Sequence, residues 1–426
     1  MAEVRPFRGI IYNAGKVGDD VAGVYAPPYD VIPQTMRDEL YEGNDYNVIR
    51  LILGKDREGD NEQDNKYTRA NRFLTEWMEE GVLVKDKDEA FYVYEQEYQV
   101  HGRKCRRIGF IGLMEIADAE KKKIFPHEHT LAAPREDRMN LMKEVKGNLS
   151  PIFTLYSDMG RTITEILEKT VVSVAPLVDI QIGMEGHKLW RLRDKSSLEK
   201  ISSSMEGKRI FIADGHHRYE VARKYRDMMR QQPGYDGSAD HIMMYFTDME
   251  ASGNLTIMGT HRVIKDMELA DDEIVERLKK YFYVTRHRDL ADLISRLDKK
   301  SGESHAFGFF GGNGYLFIEL KNESDIEKLI VEKKSLEWKK LDVSILHSAV
   351  FNGLLDIKNE EGKVKYVRDP EEAVSLVRNS GYKGVFFLNP TRVEQLKAVA
   401  ERGDMMPQKS TYFYPKLLSG LVLNKF

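Results

Sequence analysis

Arg209-Ile210-Phe211-Ile212-Ala213-Asp214-Gly215-His216-His217-Arg218-Tyr219 is an apolar run that ends in a dense polar turn, and Val221, Ala222, Tyr225, Met228 and Met229 then recur at helical spacing. The pattern reads strand, turn, helix. A helix start presents unpaired backbone N–H groups and the positive end of the helix dipole, and Gly215 lets a ligand come close to the backbone. Phosphate suits that geometry. Arg218 can add a bidentate fork, and His216 or His217 can donate to phosphate oxygens or exchange a proton. Asp214 can cap the helix, orient a histidine, or hold Mg²⁺ between phosphate oxygens. The competing reading is a plain capped helix with two adjacent histidines, and the chemical density of five successive residues weighs against it.

Upstream of the turn, Phe91 to Val100 alternates in register with a return strand through Ile108 to about Ile116, giving a hairpin about His101-Gly102 with one buried face. Tyr67, Ala70, Phe73, Leu74, Trp77 and Met78 mark a helix stopped by Gly81. The first sixty residues read as short strands and turns around Tyr25-Ala26-Pro27-Pro28-Tyr29-Asp30-Val31-Ile32-Pro33. Two adjacent prolines there stiffen a loop, and Pro33 opens a helix to Gly43. Asp30, held on that loop, can abstract a proton, bind Mg²⁺ or cap a turn. From Lys121 to Ser150 basic residues outnumber acidic ones and apolar residues look too sparse for a core element. This stretch carries Pro126-His127-Glu128-His129-Thr130, with Arg135, Asp137 and Arg138 behind it. His-Glu-His lacks the i, i+4 spacing by which two histidines share a metal. Support of the phosphate site, with Arg135 and Arg138 attracting the anion, and a solvated loop are the other readings.

Downstream, strands are expected at 241–246 and 255–263, and a boundary near residue 266 divides a first domain, 1–265, from a second, 266–426. The second is expected to hold helices at 271–281, 286–299, 341–355, 370–379 and 391–402. Its strands fall at 305–310, 315–320 and 384–389, with Gly311-Gly312-Asn313-Gly314 as a hairpin turn rather than a phosphate loop. The aromatic, basic stretch from Met406 to Lys416 either packs on the first domain or brings Lys409 to an anion. The expected class is α+β: a mixed sheet carrying the phosphate-binding element, then an α+β partner domain.

With 426 residues, two domains are the natural division. Cys105 is the only cysteine, which excludes a disulfide framework and multi-thiolate metal centres. A net charge of −4 with interspersed signs gives no reason to expect nucleic acid or an anionic membrane as partner. No apolar run approaches the ~20 residues of a membrane span, and the N-terminus lacks a signal-peptide core, so a cytoplasmic protein is expected. Nothing in the pattern speaks to oligomeric state.

Val24 to Ile32, Pro126 to Thr130, Ala213 to Tyr219 and Lys409-Ser410-Thr411-Tyr412-Phe413-Tyr414-Pro415-Lys416 together resemble the signature blocks of a prokaryotic family known as domain of unknown function 1015, over nearly the whole chain. That family has no settled activity. The Asp214 to Arg218 turn also resembles the phosphate-binding turn of the ParB and sulfiredoxin superfamily, most closely its free serine kinase branch. Where sulfiredoxin places a reactive cysteine, this chain has His216, which speaks against sulfinic acid reduction, and ParB carries Gly-Glu-Arg-Arg there. The resemblance implies a nucleotide-dependent phosphotransferase acting on a small hydroxylated metabolite such as serine, using ATP or ADP with Mg²⁺. Asp214, Gly215, His216, His217 and Arg218 would hold the phosphates, with Asp214 assisting Mg²⁺ and His216 available for proton transfer. Either Asp30 or Glu128 would be the general base. A non-catalytic sensor or scaffold that binds a phosphate-bearing small molecule, and a metal-dependent hydrolase of a phosphorylated metabolite, are the alternatives.

Overall fold

Alternation on either side of Gly102 builds the longest ladder among the described residues, from which the first sheet extends. The structure, a computed structural model, describes residues 4–100, 102–116, 123–128, 130, 132–251, 253, 255–357 and 362–426; His101 and His129 lie outside them. The chain divides into two compact units. One comprises Met1–Pro126, Thr130–Thr256 and Pro415–Phe426; the other, His127–His129 and Ile257–Tyr414. The division falls ahead of the expected boundary at 265, because strand His261–Ile264 pairs with Val364–Val367 and Gly384–Leu388 of the second unit. The final dozen residues return to the first.

The first unit is built on a nine-stranded mixed sheet. Its strands are β1 (Val4–Arg5), β2 (Phe91–Val100), β3 (Arg103–Glu115), β4 (Ile124–Phe125), β5 (Ile152–Tyr156), β6 (Val178–Ile182), β7 (Glu185–Leu192), β8 (Ile210–Asp214) and β9 (His241–Asp248). They lie in the order β4-β8-β5-β9-β3-β2-β7-β6, with β1 added to β3. On one face, Phe91, Val93, Phe110, Ile152, Ile210, Ile212 and Phe246 share a core. The hairpin was expected to bury one face, but every residue from Phe91 to Gln96 is buried. The second face is covered by Pro415–Phe426: Gln96 donates to Lys416 O at 2.9 Å and the buried Arg107 donates to Pro415 O at 2.5 Å.

Helices α1 (Gln34–Gly43), α2 (Lys66–Glu79), α3 (Ala132–Val145), α4 (Thr162–Ser173), α5 (Lys195–Met205) and α6 (His216–Met229) accompany this sheet. The apolar content of 121–150 suggested no core element, yet α3 packs against both α2 and α6. Leu141, Met142 and Val145 supply its buried stripe, and the remaining buried position is Arg138. An arginine stem fills core space when its head is satisfied, as it is here by Asp137 and Ile52 O. Among the described residues, no helix is long and apolar enough to cross a membrane.

The second unit has a six-stranded antiparallel sheet. Its strands are β10 (His261–Ile264), β11 (Phe282–His287), β12 (Ala306–Phe310), β13 (Tyr315–Leu320), β14 (Val364–Val367) and β15 (Gly384–Leu388), in the order β11-β13-β12-β15-β10-β14. Gly311 to Gly314 turns β12 into β13 behind the Phe310–Tyr315 pair. Helices α7 (Asp271–Leu278), α8 (Leu290–Lys300), α9 (Pro370–Asn379) and α10 (Val393–Glu401) sit close to their expected spans. Residues 345–355 form a π-helix, Ile345–Leu355. Both units are α+β.

Candidate functional site

Ile210 and Ile212 anchor β8 in the core, and the register with β5 shifts between Ile212 and Asp214. Such an irregularity re-aims the side chain beyond it. The chain then turns through Gly215 at φ +96°, and a Cβ there would lie 2.9 Å from Arg218 Nη2. Glycine answers both constraints. The N-terminus of α6 has no side-chain cap, while the helix buries His216, Tyr219, Val221, Ala222 and Tyr225. Strand, turn and helix thus fall where the apolar pattern put them.

Asp214 is the pivot of the turn. Its Oδ1 accepts from Lys416 Nζ, and its Oδ2 accepts from Arg218 Nη2 at 3.1 Å. All three side chains are nearly buried, at 12–14% exposure. Burial opposes ionisation of Asp214, but the Lys416 ammonium and Arg218 guanidinium outweigh it and hold the carboxyl down at about 2. Arg218 Nη1 also donates to Ser150 Oγ at 2.9 Å and Pro151 O at 2.6 Å. Its buried Nε has no hydrogen-bond partner among the described residues. The guanidinium is therefore locked in place, with little freedom to swing onto a ligand as a fork.

His216 is buried beside Asp214, and His217 is half-buried. Tyr29 lies near enough to feel both Asp214 and Arg218; burial pushes its phenol up to about 12. The Arg138 guanidinium stacks 4.0 Å from the Tyr29 ring centroid and pairs with Asp137. Arg135 donates to Glu220 Oε1 at 3.0 Å on α6, and Thr130 bonds the same carboxylate. Asp30, next to Tyr29, is exposed on a single turn, Tyr29–Val31. The loop before it is tied down where Ser419 N donates to Ala26 O at 2.8 Å. Next to Tyr29, Arg138, Ser150 and Arg218 is a cavity of about 50 Å³. That is room for a water or two, not a nucleoside.

His127 and Glu128 belong to the second unit, where His127 Nε2 lies 3.0 Å from Thr411 Oγ1 and His127 O accepts from Met406 N at 2.7 Å. Lys409, the lysine singled out from the 406–416 stretch, is exposed in that same unit. It is Lys416 that reaches the turn, a contact across 202 residues that no local pattern announces. Both Asp214 oxygens are taken by cations, and the described residues contain no group of three or more His, Cys, Asp or Glu placed to hold a metal. This donor set does not fit a protein-held Mg²⁺.

Among solved structures, a free serine kinase variant in complex with AMP is similar over 71% of this chain and 86% of its own, at 14% identity and a TM-score of 0.36. A conserved hypothetical protein from Pyrococcus furiosus is similar over 73% of this chain and 93% of its own, at 14% identity and 0.34. SbnI with a C-terminal truncation, from Staphylococcus aureus, is similar over 72% of this chain and 85% of its own, at 11% identity and 0.36. Likeness of this depth carries no weight for ligand or reaction. No curated protein matches the chain. The model of the family described as "Protein of unknown function (DUF1015)" matches residues 4–344, and the chain belongs to that family.

Proposed function

We propose that the first unit binds the phosphates of a nucleotide, ATP or ADP, at the Asp214–Arg218 turn and transfers a phosphoryl group to a small hydroxylated metabolite. The observation that carries this reading is the Lys416–Asp214–Arg218 cluster at the uncapped start of α6. Two cations on one carboxylate leave a net positive charge, fixed in position and added to the helix dipole. Phosphoryl transfer asks mainly for positioning and charge neutralisation, and a preorganised cluster supplies both without reorganising.

In this reading Gly215, His216 and His217 offer backbone N–H groups to phosphate oxygens. Arg218 and Lys416 contribute charge from where they are held, and His216 is placed for proton exchange. Arg135 and Arg138, already paired, strengthen the local field rather than grip the ligand. Asp30, exposed at the end of its proline-stiffened loop, accepts the hydroxyl proton. Serine as acceptor rests on the resemblance of the turn. Mg²⁺ would arrive on the nucleotide, and no role of these residues depends on it.

Calorimetric titration with ADP tests the binding. The wild-type protein is expected to bind, and Arg218→Ala or Lys416→Met to weaken affinity at least about tenfold, a change of ~1.4 kcal/mol. Unchanged affinity in both variants would rule the assignment out. Incubation with ATP or ADP, Mg²⁺ and free amino acids, followed by mass spectrometry, then separates catalysis from sensing. A phosphorylated amino acid supports the transferase, and tight nucleotide binding with no product leaves a sensor or scaffold.

A further inference from the structure

We infer that the second unit carries a separate binding site for a free amino acid, recognised as a zwitterion, in the cleft where β12 begins and β13 and β15 end. The cleft has a volume of about 570 Å³, within the ~300–1,000 Å³ of small-molecule sites. All of its lining residues belong to the second unit, and the phosphate reading uses none of them.

Its centre is His305, the residue before β12. His305 Nδ1 lies 2.6 Å from Asp342 Oδ1, and the two side chains are 17% and 23% exposed. A carboxylate at Nδ1 fixes the ring orientation and leaves Nε2 as the free edge of the imidazole. That Nε2 is 4.0 Å from Glu323 Oε1, too far for a hydrogen bond, and Glu323 is held by Lys340 at 2.7 Å. Nε2 therefore keeps a hydrogen-bonding position to offer the cleft.

Arg392, just before α10, lays its guanidinium over Gly302, leaving no room there for a Cβ. Glu303 and Glu394 line the same cleft and are exposed. None of these three side chains has an ion-pair partner among the described residues, whereas Glu323 and Glu337 are already matched by Lys340 and Arg402. The uncommitted groups are thus one guanidinium, two carboxylates and the Nε2 edge of an imidazole. A simple anion would meet the carboxylates, and a simple cation would meet Arg392 and Lys340. A molecule with both charges pairs its carboxylate with Arg392 and its ammonium with Glu303 and Glu394, while His305 Nε2 adds a hydrogen bond to its polar end.

The test is a thermal-shift screen of the full chain against the proteinogenic L-amino acids, with calorimetry on those that raise the melting temperature. At least one should bind with a Kd of about 1 mM or tighter. Its amine analogue lacking the carboxylate, and its acid analogue lacking the ammonium, should each bind at least about tenfold more weakly. Arg392→Gln and His305→Gln should each weaken binding by at least about tenfold with unchanged circular dichroism, while Lys299→Gln, outside the cleft, should not. Should Arg392→Gln fail to fold, His305→Gln decides alone. The site is overturned if no amino acid binds at about 10 mM, if binding survives the substitutions, or if the single-charge analogues bind as well as the parent.

Discussion

Asp214 links the charge of the candidate site to the stability of the fold. Its carboxyl sits at about 2 against an ordinary 3.8, so the unfolded chain takes up the proton first as the solution is acidified. The stabilisation is complete above about pH 4 and is lost as pH falls toward 2, and a shift of this size corresponds to about 2 kcal/mol. Asp214→Asn should therefore flatten the stability profile between about pH 4 and 2, read by urea unfolding at stepped pH; an unaltered slope would deny the carboxylate that role. The five residues of the turn could be read from the chain because a strand pattern, a glycine and a helix pattern bracket them. Lys416 could not. It belongs to the 409–416 block of the resemblance, where Lys409 drew the attention, and only tertiary folding brings the Lys416 ammonium to Asp214.

Pro415–Phe426 carries that lysine, and Arg107 fastens it. Arg107 is fully buried, its guanidinium bonded to Gln96 Oε1 and Pro415 O, with the Phe153 ring centroid 4.6 Å away. Arg107→Met keeps most of the volume but leaves those two acceptors without their donor, at a cost of about 2–4 kcal/mol. The expected outcome is a lower urea midpoint together with weaker ADP binding, because the anchor of Lys416 is loosened. Loss of stability with undiminished ADP affinity would uncouple the two. Most helices were legible from an apolar stripe at helical spacing, and most strands from short apolar runs, several of them buried on both faces. Helix α3 was not, because an arginine fills one of its core positions. Nor was the double-sided burial of β2, whose Tyr92, Tyr94 and Gln96 look like a solvent face until residues 415–426 lie across them. The π-helix Ile345–Leu355 is apolar nearly all round and so offers no period to distinguish its pitch from that of an α-helix.

Across the whole molecule, each unit encloses a histidine that must stay neutral. His187 in the first is lowered to about 4 by burial and by Arg107; His261 in the second is lowered to about 4 by burial and by Arg262. A depressed histidine pKa means that the unfolded chain protonates first, near 6.5. Stability is then full above about pH 6.5 and falls steadily to about pH 4, by about 3 kcal/mol for each ring. Unfolding measured at pH 7 and 4.5 should show this loss, and His187→Gln and His261→Gln should each remove about half of it. Equal pH sensitivity in wild type and the double variant would refute it.

The return of Pro415–Phe426 to the first unit also imposes an order on biosynthesis. At ~5–20 residues per second, a ribosome spends roughly 8–30 s making residues 257–414 after the rest of that sheet has emerged. During that interval Tyr92, Tyr94 and Gln96 lack their cover and Asp214 lacks its ammonium, so a nascent chain has an exposed aromatic surface for chaperones and an incomplete ion cluster at the turn. The charge cluster at the turn is thereby completed only once translation has passed Lys416.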